Sequence, residues 1–154
     1  MKRILAIIFL IIITGCGFKV VDLSKTNNFS IGEIASSGDK RINYIIKNKL
    51  ISNTDNSGEE RFDLKINSIK SKTVKERNIQ NEITKYIISI SVSVEVNNIN
   101  KNNLHKLSFT ETGDYNVSKQ NATNRNKEKN LVASLSQKIT NKILDEINIY
   151  LNDL

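Results

Sequence analysis

Between Tyr86 and Val96 the chain alternates without a break. Tyr86, Ile88, Ile90, Val92, Val94 and Val96 fall on one parity, and Ile87, Ser89, Ser91, Ser93 and Glu95 on the other. A strand turns successive side chains to opposite faces, so this run carries one branched aliphatic face and one face of small hydroxyls. Such a strand is satisfied in a sheet whose aliphatic side lies on a core while the hydroxyl side looks to solvent or to a partner. The rest of the chain must therefore cover one side of that sheet.

The flanking segments supply the means. Leu107, Phe109, Gly113, Tyr115 and Val117 share one face of a second strand, and the short polar link 97–103 makes the two an antiparallel hairpin. Upstream, Phe62, Leu64 and Ile66 alternate with charged residues before the phase slips to Ile69, which predicts a bulge or twist near Asn67-Ser68 and a polar loop after it. Phe29 and Ile31 open a short strand ending near Ala35, followed by a turn at Ser36-Ser37-Gly38-Asp39. Asp39 is placed to cap a helix carrying Ile42, Ile45, Ile46 and Leu50 on one stripe. A long C-terminal helix is predicted from Leu131, Leu135, Ile139, Ile143, Ile147 and Leu151, one apolar residue every four. The expected fold is α+β: a two-layer sandwich of order β-α-β-β-β-α, with an antiparallel or mixed four-stranded sheet and two helices on one face.

The N-terminus is of another kind. Lys2 and Arg3 precede the apolar run Ile4 to Ile13, and Thr14-Gly15-Cys16 follows at once. This run is too short to span a bilayer, which takes about 20 apolar residues. A positive start, a short apolar stretch and small residues after it are the marks of an export signal. Ile13-Thr14-Gly15-Cys16 resembles a bacterial lipobox, in which the Cys thiol takes a diacylglycerol, the chain is cut before it, and the new amine is acylated. Residues 1–15 then read as a removed signal peptide and 16–154 as one periplasmic domain, with Cys16 the lipid-attachment residue. Gly17 stands where an Asp would suggest retention in the inner membrane. An outer-membrane lipoprotein facing the periplasm is expected.

Composition excludes more than it assigns. With one Cys, committed to lipid, and one His, a Cys/His metal cluster is excluded, and neither a metal nor a cofactor beyond the acyl chains is expected. His105 reads as a solvated surface residue, and no strained nucleophile turn or Gly-rich phosphate loop accompanies it. No catalytic residue is assigned and an enzyme is not expected. The net charge of +7 hints at an anionic lipid surface, since an exported chain has little access to nucleic acid. Heavy use of Lys, Asn and Ile is also what an AT-rich coding bias produces.

Taken together, these pieces resemble the LPS-assembly lipoprotein family LptE. The resemblance rests on Cys16-Gly17-Phe18, a short strand and the helix Arg41–Leu50, the Tyr-led strand Tyr86–Val96, a partner strand with Phe109 and Asp114-Tyr115, and a turn at Asn124–Asn130 before the long helix. It covers essentially the whole mature chain, which departs from some members in having no proline and no polar tail after the helix. The resemblance implies a non-catalytic plug inside the large outer-membrane barrel LptD, assisting its assembly and the insertion of lipopolysaccharide into the outer leaflet. It also places two candidate lipopolysaccharide-binding residues: Arg77 in the loop before the Tyr-led strand, and Arg125 in the turn before the long helix. The alternative from the same residues is a free-standing periplasmic lipid-binding lipoprotein, which would need an apolar cavity between sheet and helices.

Overall fold

The computed structural model describes residues 29–54, 58, 60–101 and 103–152. Cys16, the export signal and the segment after it lie outside these residues. Six elements follow in order: β1 (Phe29–Gly38), α1 (Lys40–Ser52), β2 (Glu60–Arg77), β3 (Ile83–Asn98), β4 (Asn103–Asn116) and α2 (Asn121–Asn152). This is the expected β-α-β-β-β-α order. The strands form one sheet in the order β1-β2-β3-β4. β1 runs parallel to β2, and the other two pairings are antiparallel.

The alternation of β3 sets the two faces. Ile88, Ile90, Val92, Val94 and Val96 are all at most 1% exposed and form the floor of the core. Phe62, Leu64 and Ile66 continue it onto β2, and Ile42, Ile46 and Leu50 of α1 close over that side. α2 lies across β3 and β4, burying Val132, Leu135, Ile139, Ile143, Leu144 and Ile147. Two polar residues share its buried stripe, Ser136 and Thr140. Their hydroxyls are satisfied along the helix, each donating to the carbonyl four residues back (Val132 and Ser136) at 2.8 Å. Gly113 of β4 faces the helix, and an added Cβ there would come within 2.7 Å of Leu131 Cδ1. A larger residue there would oblige the Leu131 side chain to shift.

The slip expected near Asn67-Ser68 does not occur. β2 continues in phase, with Ser68 pointing into the core at 1% exposure and Ile69 outward at 61%. The reason lies in the β1–α1 turn, which crosses β2 at this point. Ser68 Oγ donates within a buried network, 2.7 Å from Asn43 Oδ1 and 3.2 Å from the Asp39 carbonyl. Asn43 Nδ2 donates to the Ser37 carbonyl at 2.7 Å, and the Asp39 N–H to the Ser68 carbonyl at 3.0 Å. Gly38 takes φ +90° in this turn, and a Cβ there would run into the Ser68 carbonyl. Asp39 caps α1 as expected, accepting from the N–H groups of Arg41 and Ile42 at 3.0 and 3.1 Å.

Three boundaries also differ. β1 extends beyond Ala35 to Gly38. The segment read as a polar loop after Ile69 is strand as far as Arg77, because it pairs with Ile83–Ile90 of β3, in unbroken register to Val74 and with irregularities on either side of Glu76. Residues 124–130, read as a turn, are helical, since α2 begins at Asn121.

Candidate functional site

One end of the sandwich gathers the tip of the β2–β3 hairpin, the end of β4 and the start of α2. There the inner-face positions of β2 change from apolar residues to Lys70 and Lys72, both of which reach Glu128 on α2, at 3.2 and 2.7 Å. The Lys72 ammonium also lies 4.3 Å from the centre of the Tyr86 ring and 5.6 Å from that of Tyr115. These two tyrosines oppose each other on β3 and β4 with their rings 5.8 Å apart. An aromatic face attracts a cation through its quadrupole, so the pair and the carboxylate hold one ammonium from two sides. The hydrogen bond from Lys72 is the main cause that holds the Glu128 carboxyl below the usual glutamate range. Burial pulls Lys72 down, but the Glu128 carboxylate and the Tyr115 hydroxyl together lift it above the ordinary lysine value.

On the outer face of the same end, Lys75 meets Asp114 at 2.7 Å and Lys85 meets Glu76 at 2.8 Å. The bond from Lys75 lowers the Asp114 carboxyl, and the bond to Glu76 raises the Lys85 ammonium. The hairpin tip is an ordered turn: Asn78 Oδ1 accepts from the N–H groups of Gln80 and Glu82, and Asn81 takes φ 65°. Ile79 projects from it at 96% exposure.

Of the two arginines picked from the sequence, Arg77 is the last residue of β2 rather than part of a loop. Its guanidinium donates to the Asn81 carbonyl at 2.8 Å, which keeps it at the hairpin tip. Arg125 stands exposed in the second turn of α2 rather than in a turn before it. The topology therefore brings both to this end, on separate elements. The Lys72–Glu128–Tyr86–Tyr115 cluster was missed, although Tyr86 and Tyr115 are cross-strand neighbours in the hairpin predicted from sequence. His105 is another correction: as an inner-face residue of β4 it is half-buried and stacks on Tyr150, 5.1 Å away with the rings inclined by 10°.

The outer face of the sheet is covered by no other element among the described residues. Asn67, Ser93 and Ser108 line up across it, as do Ser71, Ser89 and Thr112, and Ser91 Oγ lies 3.0 Å from Thr110 Oγ1. At its far end Glu95 stands between Lys65 and Lys106, at 3.8 and 3.3 Å. Among the described residues no group of three or more His, Cys, Asp or Glu is placed to hold a metal. No helix among them is long and apolar enough to cross a membrane.

Glu128 makes the end cluster sensitive to acid in a calculable direction. A carboxyl lowered by folding stabilises the fold fully above its unfolded value, about 4.5, and loses that contribution as pH falls through its lower folded value. Glu128→Gln should therefore flatten the dependence of stability on pH across this acidic window. Urea unfolding of wild type and variant between about pH 6 and pH 2 checks it, and parallel curves would remove Glu128 from the acid response.

Among the described residues, a hydroxyl-rich outer sheet face backed by two helices defines a small α+β module. The sequence matches no family model and no curated protein. Solved structures do match. Rare lipoprotein B from Shewanella oneidensis superposes with a TM-score of 0.62 at 14% identity, over 80% of this chain and 97% of that one. Lipoprotein B from Nitrosomonas europaea does so with a TM-score of 0.58 at 11% identity, over 89% and 94%. The minor lipoprotein from Acinetobacter baumannii gives 0.54 at 11%, over 80% and 94%. The fold is that of rare lipoprotein B, the LptE-like architecture that the sequence resemblance implied.

Proposed function

We propose that this chain is an outer-membrane lipoprotein, anchored by acyl chains on Cys16, that occupies the lumen of an LptD-like β-barrel. In that position it assists assembly of the barrel and helps insert lipopolysaccharide into the outer leaflet, without catalytic chemistry of its own. The observation that carries this reading is the fold shared with rare lipoprotein B over nearly the full length of that protein. The open hydroxyl face of the sheet supports it, since the interior of a large outer-membrane barrel is polar. The space between sheet and helices is filled by side chains 0–3% exposed, such as Ile90, Ile139 and Val132, which disfavours a carrier with a ligand cavity there. Extraction of the outer membrane in detergent and purification of the chain tests the proposal. A β-barrel recovered in stoichiometric amount supports it, whereas a chain recovered without one contradicts it and favours the free-standing lipid-binding lipoprotein.

Direct contact with lipopolysaccharide is assigned to Arg77 and Arg125. A guanidinium grips a phosphate through two parallel hydrogen bonds, which an ammonium cannot do. Arg77→Ala/Arg125→Ala should weaken binding of lipopolysaccharide by about tenfold, more at low salt than at moderate salt because both residues are exposed. Unchanged affinity in the double variant would take both residues out of the site and leave the barrel-plug role standing.

A further inference from the structure

The outer edge of β4 pairs with no strand among the described residues. Its register against β3 runs from Lys85–Asn116 to Asn98–Asn103 without a bulge. β1, at the opposite edge, is shorter and irregular between Ile31 and Ile34. A long regular edge presents a row of N–H and C=O groups ready to pair with another strand.

Which groups face outward follows from one bond. The Val117 N–H donates to the Thr84 carbonyl at 2.8 Å, so in this antiparallel register the odd-numbered residues of β4 direct their backbone groups to β3. The even-numbered residues turn theirs to the free edge: Lys106, Ser108, Thr110, Thr112 and Asp114, and then Asn116, whose carbonyl is already taken by Lys127 Nζ at 2.9 Å. Read about Thr110, this edge is complementary to itself. A second β4 laid antiparallel with Thr110 opposite Thr110 sets Ser108 against Thr112, and Lys106 against Asp114 twice. Sliding one copy by two residues keeps the backbone bonding but loses both Lys–Asp pairs.

We propose that two copies of the chain associate through β4, antiparallel about a two-fold axis at Thr110, into one continuous eight-stranded sheet. The charges on the edge are compatible with this pairing. Asp114 is held by Lys75 at 2.7 Å, with Lys85 at 3.9 Å, on the open outer face, where the ammonium of a second copy would join them, and Lys106 likewise stands beside Glu95. On the inner face Glu111 is held by Lys142 at 2.6 Å, so it brings no unpaired carboxylate to the axis. The association is independent of the barrel reading, because it concerns the chain purified away from other proteins.

The test is sedimentation equilibrium of the full chain in detergent. The wild type is expected to dimerise. Lys106→Asp and Asp114→Lys each convert two attractive cross-strand pairs into repulsive ones and should each raise the dimer dissociation constant by about tenfold or more. The combined swap should restore dimerisation. It does not restore the contacts of these residues with Glu95 and Lys75 within one copy, so recovery reports pairing between copies. Should the single variants fail to fold, Thr110→Cys is expected to give an intermolecular disulfide under mild oxidation and Ser93→Cys, away from the edge, is not. A wild type monomeric at all concentrations, a combined swap as weak as the single ones, or equal cross-linking at 93 and 110 would overturn the proposal.

Discussion

Ile139→Ala should lower the stability of the domain by about 2–5 kcal/mol, and Ile90→Ala by a similar amount. Both side chains are 0% exposed, on opposite sides of the one core cluster, Ile90 on the sheet and Ile139 on α2. Removing either leaves a cavity in a close-packed core, which the surrounding side chains fill only in part. Ser91→Ala, one residue along β3, removes only a half-exposed hydroxyl pair with Thr110 and should change stability by less than about 1 kcal/mol. Urea unfolding of the three variants measures the contrast. Equal losses at Ile90 and Ser91 would mean that the two faces of β3 are assigned the wrong way round.

The second large effect concerns anchoring. Cys16→Ala should abolish acylation and move the chain from the membrane fraction to the soluble one, while the folded domain keeps its unfolding midpoint. Several acyl chains, each contributing about 0.8 kcal/mol per buried CH₂, hold a protein on a bilayer in a way one charged surface cannot. The core cluster among the described residues, meanwhile, runs from Phe29 to Ile147. Mass spectrometry of the mature chain from its own envelope checks the premise. An unmodified Cys16 would remove the lipid anchor from the account.

The sequence revealed most where one face of an element is purely apolar. β3 and the apolar stripe of α2 were readable for that reason, and so were the two-layer order and the Asp39 cap. It misled where a buried position is polar for a tertiary reason. Ser68 breaks the alternation of β2 only because the β1–α1 turn needs a hydroxyl inside, and a swap of that kind looks like a change of phase. Lys70, Lys72 and Lys75 read as loop because their partners, Glu128 and Asp114, come from distant elements. The Asn-rich start of α2 reads as a turn. Asn124 is helical in its backbone, but its side chain bonds back to Ser118, accepting from its N–H and donating to its carbonyl, both at 2.7 Å. The parallel pairing of β1 with β2 had no local signature at all.

The candidate site was legible only in part. Arg77 and Arg125 were chosen by resemblance, and nothing in their neighbours announced that a hairpin tip and a helix start would share one end of the molecule. The hydroxyl face was visible as a pattern, but its extent was not. Its breadth depends on β2 staying in phase as far as Ser71 and Thr73, residues whose strand character comes from pairing with β3.

That face also offers the most direct test of the barrel reading. A photo-reactive residue placed at Ser93, exposed at the centre of the uncovered sheet, should cross-link in the intact cell envelope to a β-barrel protein of the outer membrane. Capture of such a barrel from Ser93 is the result the account predicts. Cross-links that yield only lipid, or no protein partner at all, would contradict it.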